Sequence, residues 1–149
     1  MDSFVRLFIR SSLVWLGVGV SIGLWMVVDP GAVIYRPAHV HANLLGFVSM
    51  MIFGVGYHVL PRFASTPLRS KRAALIHVVV ANAGLAGMVC GWLIRPSAPG
   101  VAHYLLAAGG MLSAAGAFLF IGNIWLSMGN NEQLVALRVA RARANPAQG

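Results

Sequence analysis

Apolar residues along this chain come in long blocks, not in the alternation of a half-buried strand or the two-faced stripe of a soluble helix. Four stretches contain no Asp, Glu, Lys or Arg: Ser11 to Val28, Ala38 to Leu60, Ala73 to Ile94 and Val101 to Ser127. Each is close to or above the roughly 20 residues that cross about 30 Å of hydrocarbon at about 1.5 Å per residue. The pattern predicts an all-α membrane protein. A bundle of four transmembrane helices, at about 11–28, 38–60, 73–94 and 101–127, fills residues 1–132, and a basic cytoplasmic tail takes 133–149. Turn chemistry sets the boundaries. Asp29-Pro30-Gly31 stops the first helix, Pro61 closes the second, Arg95-Pro96 the third, and Gly129-Asn130-Asn131 the fourth.

Composition agrees with that class. Of 149 residues, 58% are hydrophobic and 9% charged, where soluble domains carry about a quarter charged residues. The net charge of +8 does not point to nucleic acid, because the cations flank the apolar spans. Arg6 and Arg10 precede the first, Arg62, Arg69, Lys71 and Arg72 fill the second connection, and Arg138, Arg141 and Arg143 lie in the tail. The other two connections carry one arginine each, Arg36 and Arg95. This asymmetry predicts both termini and the 2–3 connection on the cytoplasmic side of a bacterial-type inner membrane. The tail is read as a solvated end, with a position along anionic headgroups as the rival. Arg6 and Arg10 also fit a signal peptide, but the apolar run exceeds the ~7–15 residues of a signal core. It is read as an uncleaved first helix. Cys90, the single cysteine, excludes an intramolecular disulfide and is read as a small buried thiol, with a thiolate ligand as the alternative.

Histidines carry the candidate chemistry. His39 and His41 open the second apolar run, where an imidazole is costly without a partner and is a common ligand of iron, copper or zinc. Residues two apart on a helix are separated by about 200°, so the pair cannot grip one metal together. Either one is a ligand, or each serves a different site. In the second case a ring of identical chains sandwiches a metal at every contact, with His39 from one copy and His41 from the next. The rival reading is interfacial histidines reaching headgroups. His58 and His77 are placed at the inner interface, and His103, beside Tyr104, is the reserve ligand. Gly19-x-x-x-Gly23, Gly87-x-x-x-Gly91 and Ala42-x-x-x-Gly46 are close-packing patterns. A sharper alternative is that Gly46, Gly54 and Gly56 leave a flat slot for a macrocycle.

Ala38-His39-Val40-His41, with Met51-Ile52-Phe53-Gly54-Val55-Gly56-Tyr57-His58-Val59-Leu60-Pro61-Arg62-Phe63 after it, resembles the tenth helix of the haem–copper oxidase catalytic subunit. His39 and His41 match the family positions that hold the high-spin and low-spin haems. His41-Ala42-Asn43-Leu44 also resembles the His-x-Asn of the second helix in nitric-oxide-reductase-type members, and Ile76-His77 is more weakly similar to the opening of the eleventh helix. The likeness covers residues 35 to 63 and, loosely, as far as 95. Family subunits arrange three similar arcs of four helices around a pseudo-threefold axis, so this chain looks like one arc.

The resemblance implies haem b and iron, bound by His39 and His41 across neighbouring chains, with a homotrimer favoured over a dimer. It implies Asn43 and Gly46 beside the cofactor. Arg36 and Arg95, the only outer-face cations, are the propionate candidates, with lipid-snorkelling arginines as the alternative. Departures matter as well. The adjacent His-His pair of the copper site, the cross-linked tyrosine and the acidic proton-channel residues have no counterpart here. Copper and proton-pumping oxygen reduction are therefore not expected. The reading is a membrane electron-transfer protein, exchanging electrons with a quinol or a periplasmic carrier. Alternatives are a small nitric oxide or oxygen reductase or sensor, and a haem or copper assembly scaffold.

Overall fold

A computed structural model describes residues 2–129 together with 136, 137 and 139–141. The Asn130-Asn131 stop and most of the basic tail lie outside the described residues. Four helices account for nearly everything else, and each is long and apolar enough to cross a membrane. The first, α1, runs Ser3–Val28 and begins well before Ser11. Its extra turns bury Phe4, Val5 and Phe8 and leave Arg6 and Arg10 exposed on the other side. Arginines four apart share one helix face, so an uncharged run marks only part of the helix.

The second span, α2, covers Pro30–Phe63 and is not uniform. A 3₁₀ turn, Pro30–Tyr35, is capped by Asp29, whose Oδ1 accepts from the Gly31 amide at 2.8 Å. An α segment, Arg36–His41, follows. The chain then widens into a π-helix, Ala42–Ser49, before returning to α-helix over Met50–Phe63. Pro61 does not close this helix. It sits in the last turn, buried, and the helix ends two residues later, with the Pro61 carbonyl accepting from the Thr66 amide at 2.9 Å.

Two more helices complete the chain. The third, α3, spans Lys71–Ile94, and its N-cap Ser70 accepts from the Ala73 amide at 3.1 Å. The fourth, α4, spans Pro99–Gly129. They run antiparallel and close together, because small residues recur at seven-residue intervals on both. His77, Gly84 and Gly91 on α3 face Gly116, Gly109 and Ala102 on α4. In the same register Ser70 faces Asn123, which accepts from the Ser70 amide at 3.0 Å and donates to its carbonyl at 2.9 Å. The opposite side of α4 exposes a ridge of large residues, Tyr104, Met111, Phe118 and Trp125, again at seven-residue spacing.

Contacts run mainly between successive helices, with lesser ones from α1 to α3 and from α2 to α4. None of comparable extent joins α1 to α4 among the described residues. The four helices thus form an open arc. Phe4, Phe8, Met50, Tyr57, His77 and Leu85 fill its inside. Across it, the Trp15 indole donates to Asn82 Oδ1 at 3.0 Å. Lipid is as apolar as leucine, so close packing and such bonds hold the helices together, not exclusion from water.

Candidate functional site

The His-x-His pair occupies the last turn of the α segment of α2, immediately before the π-helix. A π-helix makes i-to-i+5 contacts and recurs at functional positions; here the Ser49 hydroxyl donates to the Leu44 carbonyl at 2.9 Å. The wide turns set Asn43 against Gly19 and Gly46 against Trp15, both on α1. A side chain at Gly46 would collide with Trp15 and Leu85. Gly46 is therefore a close-approach point between helices and opens no slot on this face. Gly54 packs in the same way against Phe8, and Gly56 against Phe120.

His39 and His41 leave α2 toward different neighbours. The His39 ring lies over Gly23 of α1, where a Cβ would come within 2.9 Å of its Cε1. Its Nδ1 is 2.7 Å from the Gly19 carbonyl. A carbonyl only accepts, so Nδ1 carries the proton and Nε2 keeps its lone pair. Asn43 Nδ2 donates to the His39 carbonyl at 2.9 Å; its 3.4 Å approach to His39 Nδ1 sets donor against donor and holds nothing. His41 repeats the arrangement within its own helix, with Nδ1 2.7 Å from the Pro37 carbonyl. Both rings are half-buried. Both thus present an unprotonated Nε2 with the other nitrogen anchored to backbone, the arrangement that orients metal-binding imidazoles.

Trp92 is the site residue that sequence reading missed. Its ring centroid is 6.2 Å from that of His41, and the Arg95 guanidinium sits 5.0 Å above it. Its indole Nε1 is buried and has no hydrogen-bond partner. A buried donor without a partner costs about 1–3 kcal/mol. The only sequence signal was position: Trp92 precedes Arg95 by three residues, hence shares its helix face. Arg36, by contrast, is exposed at the start of the α segment. His103 is exposed beside Tyr104, ring centroids 5.8 Å apart.

Two sequence expectations are corrected. His77 does not reach headgroups or water from its place near the start of α3; it is fully buried. Phe8 and Phe53 flank it at 4.8 and 4.6 Å between ring centroids, and its Nδ1 is 3.1 Å from the Tyr57 hydroxyl. Gly116 opposite leaves the room an imidazole needs. Cys90 is not buried but exposed, because the small-residue seam of α3 passes through Gly84 and Gly91 and leaves Cys90 off it. His58 sits near the end of α2, with Arg62 Nη1 2.8 Å from its Nδ1.

Compared with known proteins, the chain matches no family, no curated protein and no solved structure. Among the described residues, no three His, Cys, Asp or Glu side chains converge as a metal-binding group. Around His41 lie its Nε2, without a hydrogen bond within the chain, and the buried Trp92 indole N–H beneath the Arg95 guanidinium.

Proposed function

We propose that this chain is a membrane b-type haem protein, corresponding to one arc of a haem–copper oxidase-like catalytic subunit, that transfers electrons within the bilayer. The observation that carries this reading is the shared state of His39 and His41. Each has Nδ1 anchored on a backbone carbonyl and Nε2 free, and the two face different helices. In this proposal three copies form a ring, and His39 of one copy and His41 of the next would hold the haem iron at each contact. Haem b, when bound, supplies a one-electron couple.

The residues of the chain do the rest. Gly19 and Pro37 carbonyls fix the imidazole tautomers, and Asn43 ties the His39 backbone to the face of α1. Arg95 and the Trp92 indole would receive the propionates, with Arg36 as the second cation. An iron held by two imidazoles would have no free position for a gas, so electron transfer is proposed over gas chemistry. Both termini and the 2–3 connection lie in the cytoplasm in this proposal, which puts the histidine pair near the outer face.

The test is the reduced-minus-oxidised visible spectrum of the detergent-purified protein, with and without carbon monoxide. Sharp b-type bands insensitive to carbon monoxide are expected, and they disappear in the His39→Ala, His41→Ala double variant. A shift with carbon monoxide would mean an open iron and a gas reductase or sensor. Colourless protein from haem-replete cells would leave only the scaffold reading.

A further inference from the structure

The connection between α2 and α3 is latched onto α4. The Arg69 amide donates to the buried Ser127 hydroxyl at 2.8 Å. Next to it, the Ser70 amide and carbonyl bond the side chain of Asn123 at 3.0 and 2.9 Å. The backbone at 69 and 70 is therefore fixed against the fourth helix, and the Arg69 side chain leaves from that fixed place exposed.

A groove of about 270 Å³ lies between α3 and α4 directly beneath the latch. Arg69 lines it together with Ala73 of α3 and Phe118, Leu119, Gly122 and Leu126 of α4. Because the two helices are antiparallel, Arg69 and Leu126 stand at the end of the spans and Phe118 deeper along them. Gly122 keeps the floor low, since a Cβ there would meet nothing within 4 Å. The groove is thus apolar along its length and cationic at its mouth.

Nothing in the chain neutralises that mouth among the described residues. Eleven Lys and Arg stand against three carboxylates, Asp2, Asp29 and Glu132. Asp2 pairs with Lys71 at 3.1 Å, and Asp29 caps the 3₁₀ turn at the far end of α1. Glu132 lies outside the described residues. Arg72, exposed in the first turn of α3, adds a second guanidinium at the same end of the bundle. A second copy of the chain brings the same excess of cations, so it is a poor complement for this face.

We propose that this groove binds an anionic phospholipid, with an acyl chain between α3 and α4 and the phosphate on Arg69, Arg72 being the second cation. Guanidinium and phosphate make short, charge-assisted and often bidentate bonds. A zwitterionic lipid offers the same tails and the same phosphate, but its own ammonium offsets the attraction, so the site selects net negative charge. The latch holds the Arg69 backbone in place before binding, which lowers the ordering cost. This site needs neither haem nor the ring of three copies.

The experiment is native mass spectrometry of the full chain, purified in a nonionic detergent and titrated with dioleoyl phosphatidylglycerol or dioleoyl phosphatidylcholine. The first phosphatidylglycerol is expected to bind about tenfold tighter than the first phosphatidylcholine. Arg69→Gln should weaken phosphatidylglycerol about fivefold and leave phosphatidylcholine unchanged. Gly122→Leu should weaken both lipids, because it fills the groove without a clash. Arg6→Gln is the control, since Arg6 is exposed on α1, whose start is tied to that of α3 by the Asp2–Lys71 pair, and does not line the groove. Equal binding of the two lipids by the parent, or equal losses in Arg69→Gln and Arg6→Gln, overturns the site in favour of a diffuse positive field. Unchanged binding of both lipids by Gly122→Leu overturns the groove as the tail site. A dimer that Gly122→Leu abolishes, with no lipid preference in the parent, overturns the proposal in favour of a second copy on this face. Colourless protein that keeps the preference would sink the haem reading and leave this one standing.

Discussion

Trp92 shows how one atom sets the terms of a site. Its buried indole donor has no partner within the chain and in the haem proposal would meet a propionate, so Trp92→Phe should act in opposite directions on the haem-free and the haem-bound protein. Haem-free protein should melt at the same or a higher temperature, since a buried unpaired donor costs about 1–3 kcal/mol. If haem is bound as proposed, the loaded variant should release it about tenfold more readily, read as haem transfer to apomyoglobin. Equal haem release by both proteins would count against Trp92 as a propionate partner. Gly19 acts on the other histidine. A methyl there runs into Asn43, and overpacking of this kind costs about 1–3 kcal/mol. Gly19→Ala should therefore lower the melting temperature in detergent, and in the haem proposal the reduction potential should move because the His39 anchor is displaced. The histidines themselves were legible as ligand candidates from their place in an uncharged run. Their tautomers were not, because the Gly19 carbonyl comes from another helix.

The α3–α4 pair gives a clean contrast between adjacent glycines. A methyl on Gly109 would meet the Gly84 carbonyl at 2.6 Å and the Met88 amide at 2.8 Å, backbone atoms that cannot swing aside. Gly110 has nothing within 4 Å. Gly109→Ala should destabilise by about 1–3 kcal/mol, while Gly110→Ala should stabilise by about 0.5–1 kcal/mol through helix propensity. Thermal unfolding followed by circular dichroism in detergent reads both signs, and equal effects would contradict the register. Four spans were visible as four uncharged blocks. The π-helix in α2 was not, because 42–49 has the same apolar composition as its flanks and only packing against Gly19 and Trp15 distinguishes it. Pro61 misled for a related reason: proline in a last turn removes one donor, and the chain here continues as helix to Phe63.

At the scale of the whole molecule, an open arc leaves much apolar surface for lipid or for other copies. The ring proposal predicts a trimeric protein mass from light scattering in detergent, with the detergent contribution subtracted; a monomer at all concentrations would rule out haem shared between copies. Orientation is checked with single cysteines in a Cys90→Ala background. Ser65→Cys, in the 2–3 connection, should react with an impermeant maleimide only after the membrane is opened, and Ser97→Cys in intact spheroplasts. The reverse labelling would invert the assignment of sides.

The sequence alone determined the class of the molecule, because membrane solvation acts on each segment independently of the others. Twenty apolar residues span wherever their neighbours sit. It also determined that His39 and His41 diverge, since helix geometry is local. Which side chains meet across helices was decided only by tertiary structure. His77 looks like any histidine near the end of a span until Gly116 of α4 and Phe8 of α1 enclose it. Trp92 looks like an interfacial aromatic until it lies beside His41 and beneath Arg95. Spacing along one helix fixes directions, but the partner found in each direction depends on the register of the neighbouring helix, and that register is set by where the glycines of both helices let backbones touch.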